Sequence, residues 1–444
     1  MLKNYIKLAW IVLGRKKLFT FISLFGISFT LMILMVLTAY FDSELGSHPP
    51  LSKSDRISFL NRVVMEQILP DTTRIIDSTA IDGVMANDTT LNIGERTINY
   101  SSSSASYSLL DRYLRNVPYA EITSFFSPSQ SFDLFINNKK LVFNTLYTDG
   151  YYWDIFDFEF VEGDPYRQPA VDDRSPVIVI SDAARDAYFG SGVNALGQEI
   201  ALNRQLFRVV GVVKEISNSK GFLHAEVYLP LTHIQPGILK EPGLMGGFEA
   251  AFLSARPADR LKLEAEVARK AAVIPLPDPE NYNTLTLQTH TLLEGFALRV
   301  LSENDKTVAL RWLYSIVGSL LVLFMLIPTL NLINVNVTRI LERSDEIGVR
   351  KAFGARTRDL LIQFVFENVL LTLIGGIIGL ILAIWLIYTL NTSKVLGGVI
   401  LSFSPSVFVY GFFITLFFGI LSGLLPAWRM SRLHVIEALK QNAA

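Results

Sequence analysis

Residue types that bind metals or attack substrates are sparse in this chain. It contains no cysteine, which removes thiolate metal sites, disulfides and cysteine nucleophiles together. Its five histidines are scattered, and the one weak indication of a metal site is His224 with Glu226 two positions later. Because one such pair is a weak indication of a metal site, the sequence predicts that this chain holds no metal.

The chain also lacks the sequence patterns of a hydrolase or an ATPase. The hydroxyl-rich stretch from Ser101 to Ser108 has no histidine or lysine nearby to activate a nucleophile, so it is predicted to be an exposed loop. No Gly-x-x-x-x-Gly-Lys-Ser/Thr phosphate-binding loop occurs. We therefore predict a non-catalytic chain that binds no cofactor of its own, neither ATP nor Mg²⁺.

A charged segment, Glu342 to Asp359, separates two long apolar runs near the C-terminus. It and its flank carry six basic residues: Arg339, Arg343, Arg350, Lys351, Arg356 and Arg358. Short loops rich in Lys and Arg stay on the cytoplasmic side of a membrane, so this segment orients the whole chain. A simple topology anchor is the plainer interpretation of such a loop.

The composition is typical of a membrane protein. Half of the 444 residues are hydrophobic and the formal charge is −1, while the basic residues cluster beside apolar runs, which disfavours nucleic-acid binding. Four apolar segments are long enough to span a bilayer: 18–40, the second span with its stalk end at 306–337, 361–390 and 404–425. From the distribution of Lys and Arg, three segments are predicted on the cytoplasmic side: an amphipathic helix at 1–17, a segment at 338–360 and a tail at 426–444. A short loop at 391–403 is predicted on the outer side.

Residues 41–305 contain no run that could cross a bilayer, so they are predicted to form a large extracytoplasmic domain of two subdomains. Hairpin turns are expected at Asn137 to Lys140 and at Asn203-Arg204, and a helix capped by Asp182 should follow a buried strand. From Thr291 a helix is expected to continue unbroken into the second span. The predicted fold is an α-helical membrane protein with four transmembrane helices and an α+β outer domain between the first two.

Small and polar residues within the spans predict helix contacts. Small residues four positions apart let helix backbones approach closely, and two such pairs occur: Gly375 with Gly379, and Gly419 with Gly423. Packing within one chain and contact between two chains are equally compatible with them. Asn331, Asn334 and Glu367 are polar residues near span ends, which favours interhelical hydrogen bonds or interfacial placement over a transport route.

Three stretches carry a resemblance to a known family. Residues Glu346 to Ala355, read as EIGVRKAFGA, closely resemble the signature of MacB/FtsX-type ABC transporter permeases. Pro426 to Arg429 and the segment from Val177 to Leu231 resemble the C-terminus and the periplasmic core of the same permeases. The resemblance implies that the cytoplasmic segment docks an ABC ATPase through Glu346, Gly348, Arg350, Lys351, Gly354 and Ala355.

The resemblance also implies partners. Because this sequence shows no phosphate-binding loop, we expect ATP and Mg²⁺ on a separate ATPase chain, and a dimer with a second copy or a paralogue. A periplasmic adaptor and an outer-membrane channel are further partners that such permeases use. Export or extraction of an envelope substrate is the expected function, and the alternative is a regulatory protein whose outer domain controls envelope enzymes or a sensor partner.

Overall fold

The computed structural model of the chain describes residues 17–81, 84–136, 139–202, 205–217, 220, 222–341, 357–393, 395–396, 399–403, 405–413, 416–417 and 420. The chain divides into two compact units. Met1–Glu44 and Thr307–Ala444 form the first, here called the membrane unit, and Leu45–Lys306 form the second, called the outer unit. The predicted helix at 1–17 lies almost wholly outside the described residues.

The long helices are of membrane type and belong to the membrane unit, and the shorter helices lie between them along the chain, in the outer unit. In chain order they are α1 (Lys17–Leu45), α2 (Tyr107–Leu109, continued by a π-helical turn at Leu110–Leu114), α3 (Tyr152–Ile155), α4 (Gln168–Asp172), α5 (Asp182–Tyr188), α6 (Pro236–Leu239), α7 (Arg260–Ala271), α8 (Leu292–Leu301), α9 (Lys306–Leu341) and α10 (Thr357–Ser393). Short 3₁₀ turns occur at Leu231–His233 and Pro257–Asp259.

Three of these helices are long and apolar enough to cross a membrane, over Thr20–Leu45, Lys306–Phe324 and Val365–Ser393. Many of their large apolar side chains point outward, including Phe25, Val322 and Trp385, as suits a lipid surrounding that needs no polar cover. Of the predicted fourth span at 404–425, residues 405–413 are helical and most of the remainder lies outside the described residues. The number of four spans therefore stays a prediction.

The prediction of an unbroken helix from Thr291 into the second span is wrong. Thr291 does start α8, since its side chain and that of Glu294 each accept a hydrogen bond from the other's backbone N–H. The helix ends at Ser302, which has a left-handed backbone with φ of 52°. Asn304 then accepts hydrogen bonds from the side chains of Arg62 and Gln288, at 2.6 and 2.8 Å, so tertiary contacts hold the break before Lys306 starts α9.

The strands of the outer unit join one 13-stranded sheet. They are β1 (Ile57–Ile81), β2 (Val84–Ala105), β3 (Ala120–Phe126), β4 (Gln130–Ile136), β5 (Lys139–Thr148), β6 (Phe160–Gly163), β7 (Val177–Ser181), β8 (Glu199–Leu202), β9 (Gln205–Val213), β10 (Val227–Pro230), β11 (Met245–Gly246), β12 (Glu249–Ser254) and β13 (Thr284–His290). The strand order is β11-β2-β1-β12-β3-β5-β10-β7-β9-β6, with β13 on β1, β4 on β5 and β8 on β9.

Both predicted hairpins are confirmed. Ile136 pairs with Lys139 between β4 and β5, and Leu202 pairs with Gln205 between β8 and β9. The cap of the helix after β7 differs from the prediction, because Ser181 and not Asp182 is the cap. The Ser181 hydroxyl accepts a hydrogen bond from the Ala184 N–H at 3.0 Å.

The prediction of an exposed loop at Ser101 to Ser108 is also wrong. Ser101 to Ala105 form the end of β2, which pairs antiparallel with β1 along most of its length, and Tyr107 begins α2. These serines fit in a strand because their hydroxyl groups form hydrogen bonds. Ser103 donates to the Gly246 carbonyl at 3.2 Å, and Ser102 accepts from Arg62 at 3.0 Å.

Residues from both predicted subdomains contribute to one contiguous hydrophobic core. Phe125 and Phe126 of β3 are fully buried with Ile178 and Val179 of β7 in that core. The shared sheet explains this arrangement, since β10 pairs with β5 on one side and with β7 on the other. A cluster of this size supplies the burial that a domain without disulfides needs.

Stability of the outer unit should fall with rising pH because of Glu249, the first residue of β12. Burial raises the pKa of Glu249 from 4.5 to about 7. When the pKa of a carboxyl group is higher in the folded than in the unfolded protein, its contribution to stability is fully present at pH values below the unfolded pKa. For Glu249, that contribution is lost as the pH rises through about 7. Glu249→Gln should therefore unfold at a higher temperature than the wild type at pH 8, by a difference of roughly 2 to 3 kcal/mol in stability, and should lack this pH dependence.

The exposed Glu199 of β8 provides the control for this prediction. In melting curves of the full chain in detergent, Glu249→Gln should unfold at a higher temperature than the wild type at pH 8 and close to the wild type at pH 5, whereas Glu199→Gln should follow the wild type at both pH values. Equal pH dependence in Glu249→Gln and the wild type would contradict the assignment.

Candidate functional site

The segment predicted to dock an ATPase lies outside the described residues. This applies to Glu346, Gly348, Arg350, Lys351, Gly354 and Ala355, and also to Gly419 and Gly423. Asn331 and Asn334 lie on α9, but their side chains are likewise outside the described residues. The roles of all these residues stay predictions.

The first of the two predicted glycine pairs, Gly375 with Gly379, lies at a tight contact between α1 and α10. A Cβ atom on Gly375 would stand 2.7 Å from Ile27 Cγ2, and one on Gly379 would stand 2.9 Å from the Ser28 carbonyl oxygen and 3.0 Å from Leu31 Cβ. The distances of 2.7 and 2.9 Å are shorter than real Cβ atoms show, so a side chain at either position would force a neighbour to move. In this structure, Gly375 and Gly379 therefore let α10 approach α1 of the same chain.

A short polar face is buried on α10 beside this contact. Glu367 and Asn368 are each 4% exposed and Thr372 is 1% exposed. The Thr372 hydroxyl donates to the Asn368 carbonyl at 2.9 Å, which satisfies it within its own helix. Glu367 is among the polar residues predicted from the sequence, whereas Asn368 and Thr372 are not, although their spacing of four places them on one helix face.

In the outer unit, three potential metal ligands come together. One ligand atom each from Glu215, His224 and Glu226 lies within 4.8 Å of the others. His224 is 5% exposed, and its Nε2 atom finds no hydrogen-bond partner among the residues that the structure describes. The distance from His224 Nε2 to Glu226 Oε1 is 3.9 Å.

The sheet explains why these residues meet. Ser181 of β7 pairs with Val213 of β9, and Ile180 pairs with Val227 of β10. The end of β9 and the start of β10 thus lie on either side of the end of β7, which brings Glu215, two residues after β9, near Glu226, one residue before β10. The sequence signalled only the His224 and Glu226 pair, because the approach of Glu215 depends on this strand order.

Two protein-family models match the chain. The model described as MacB-like periplasmic core domain matches residues 20–270, and the model described as FtsX-like permease C-terminal matches residues 318–435. The first covers the outer unit up to α7, and the second covers most of α9, all of α10 and the predicted fourth span. The resemblance stated from the sequence is thereby confirmed.

Curated relatives include the macrolide export ATP-binding/permease protein MacB of Acinetobacter baylyi, 27% identical over 65% of this chain and 41% of that protein. The pyoverdine export ATP-binding/permease protein PvdT of Pseudomonas syringae pv. tomato is 27% identical over 66% of this chain and 42% of that protein. The chain thus spans about two-fifths of the length of these relatives.

Among solved structures, the periplasmic region of MacB from Actinobacillus actinomycetemcomitans aligns with 46% of this chain and 85% of its own length, at 17% identity and a TM-score of 0.33. The periplasmic core model alone covers residues 20–270, which is more than half of the 444 residues. This chain therefore belongs to the MacB-like family of ABC transporter permeases, with a MacB-like periplasmic core domain and an FtsX-like permease domain.

Proposed function

We propose that this chain is the permease subunit of a MacB-type ABC transporter, which uses ATP hydrolysed on a separate ATPase chain to move its outer unit. The observation that supports this most is the presence of both family matches in one chain, at 20–270 and 318–435. The movement would drive export or extraction of an envelope substrate. The names of the relatives, macrolide export and pyoverdine export, favour a small secreted compound.

The proposed setting is the bacterial inner membrane. The chain crosses it four times, with both termini and residues 338–360 in the cytoplasm and the outer unit in the periplasm. Two copies, or one copy and a paralogue, associate with the ATPase, and a periplasmic adaptor with an outer-membrane channel completes an export route. The three described apolar helices support a multi-pass protein.

Transmission of movement, and not conduction of substrate between the spans, is the proposed mechanism. The described membrane helices present apolar side chains outward, and the buried polar face of α10 is confined to the short stretch from Glu367 to Thr372. Movement would reach the outer unit through the start of α9. Lys306 is fastened there, since its Nζ atom lies 3.0 Å from Glu264 Oε2 and 3.1 Å from the Thr289 carbonyl oxygen.

Substitution of Gly354 tests the docking of the ATPase. Gly354→Trp places a large side chain in the proposed contact, where glycine permits close backbone approach. We expect the variant to insert normally and to recover roughly tenfold less of the ABC ATPase that co-purifies with the wild-type chain, which corresponds to a loss of about 1.4 kcal/mol.

Gly397→Trp is the matched control, because it makes the same change in the predicted loop on the opposite side of the membrane. It should leave recovery of the ATPase unchanged. Equal recovery with Gly354→Trp would remove the docking assignment, and the absence of any ATPase from wild-type preparations would remove the proposed function.

A further inference from the structure

We propose that Glu215, His224 and Glu226 form a zinc-binding site in the outer unit, between the end of β9 and the start of β10. The site would take a divalent transition-metal ion through one imidazole nitrogen and two carboxylate oxygens. It revises the sequence prediction that this chain holds no metal. The proposal does not depend on the transporter function.

The buried histidine is the first observation in its favour. His224 is 5% exposed, and its Nε2 atom has no hydrogen-bond partner among the described residues. Buried polar atoms are nearly always satisfied, so an orphaned imidazole nitrogen requires an explanation. An ion bound at Nε2 supplies one, because neutral imidazole is a common ligand of transition metals.

The orientation of Glu226 is the second observation. Its Oε2 atom accepts a hydrogen bond from the Asn144 N–H at 2.6 Å, which fixes the carboxylate against β5. The other oxygen, Oε1, lies 3.9 Å from His224 Nε2, beyond hydrogen-bond distance. An outer contact that orients a ligand in this way is the usual second layer of a metal site.

The size of the cluster fits a zinc ion after a small closure. With metal–ligand bonds of about 2.0 to 2.2 Å, tetrahedral ligand atoms stand roughly 3.3 to 3.6 Å apart. The three ligand atoms here lie within 4.8 Å of one another, and Glu215 is exposed, so its side chain is free to close the site. Glu215 also offers the ion a path from solvent.

The types of the three ligands favour zinc over Mg²⁺ and Ca²⁺. One imidazole with two carboxylates suits zinc, whereas Mg²⁺ and Ca²⁺ prefer oxygen ligands alone. Three protein ligands leave one position of a tetrahedral zinc ion for water or for a donor from a bound molecule. The ion would join the loop that precedes β10 to the end of β9.

Zinc titration of the full chain tests the proposal. The chain is purified in detergent with a tag that contains no histidine, stripped with a chelator, and titrated with Zn²⁺ against a chromophoric competitor. We expect one zinc ion per chain with micromolar or tighter affinity, not displaced by a large excess of Mg²⁺. Co²⁺ in place of Zn²⁺ should give the visible absorption of a tetrahedral site.

Single substitutions test which residues bind the zinc ion. His224→Gln, Glu226→Gln and Glu215→Gln should each weaken zinc binding by roughly tenfold or more. Glu215→Gln is decisive, because Glu215 is exposed and its replacement leaves the core intact. His233→Gln is the matched control, since His233 is a half-buried histidine whose Nε2 lies 3.0 Å from the Ser175 carbonyl oxygen, and it should bind zinc as the wild type does.

Two results would overturn the site. The first is a wild-type chain that takes up no stoichiometric zinc. The second is a Glu215→Gln chain that binds zinc with wild-type affinity, which would place the ion elsewhere.

Discussion

Gly379→Leu is expected to destabilise the membrane unit by forcing α1 and α10 apart. The new side chain would begin 2.9 Å from the Ser28 carbonyl oxygen and 3.2 Å from Ser28 Cα, and these backbone atoms cannot rotate away as a side chain can. The helices α1 and α10 must then separate or shift. Overpacking of this kind costs about 3 kcal/mol.

The measurement is the fraction of detergent-solubilised chain that remains monodisperse after heating. Gly318→Leu is the matched control, because Gly318 lies on α9 and a Cβ there meets no atom within 4 Å. It should behave as the wild type. A Gly379→Leu chain with the thermal midpoint of Gly318→Leu would show that the contact between α1 and α10 does not stabilise the membrane unit.

Asp149→Ala is expected to be the most damaging carboxylate replacement in the outer unit. Asp149 is 2% exposed, and its two oxygens accept hydrogen bonds from four donors. The donors are Ser124 Oγ at 2.7 Å, Phe125 N at 3.0 Å, Tyr152 N at 3.1 Å and Arg115 Nη1 at 3.1 Å. Removing the carboxylate leaves these groups without their acceptor, which should cost about 3 to 5 kcal/mol.

Asp154→Ala provides the comparison within the same unit. Asp154 pairs with Arg167, but both side chains are largely exposed, at 41% and 58%. An exposed pair contributes less than about 1 kcal/mol. Denaturant unfolding, followed through the fluorescence of the buried Trp153, should separate the two variants clearly, and similar midpoints for both would refute the role given to Asp149.

Short sequence patterns predicted the two hairpins of the outer unit, because a hairpin turn depends on the residues next to it in the chain. The hairpins around Asn137 and Asn203 follow from turn residues between apolar runs, and both are present. The long β1–β2 hairpin was missed, although Ile81 pairs with Val84 and the intervening Asp82-Gly83 is a strong turn signal. Pro70 within β1 and the polar residues around it weaken the strand pattern there.

Long-range partners could not be predicted in this way. β1 pairs with β12, which follows almost two hundred positions later, and with β13, which follows more than two hundred positions later, and no local pattern specifies that choice. The same holds for Glu215, whose approach to His224 depends on the order of β7, β9 and β10. The break at Ser302 had a visible signal, since Ser302 to Asp305 are four consecutive polar residues.

The left-handed residue at Ser302 also affects how this architecture can vary in length. In a continuous α-helix, each added residue rotates everything beyond it by about 100°, so an insertion before the membrane would rotate the faces of the spanning helix by that angle. Here α8 and α9 are separate helices, and such a rotation stops at the break. Insertions and deletions upstream of Ser302 therefore leave the rotational phase of α9 unchanged, which frees the outer unit to diversify while the membrane helix keeps its faces.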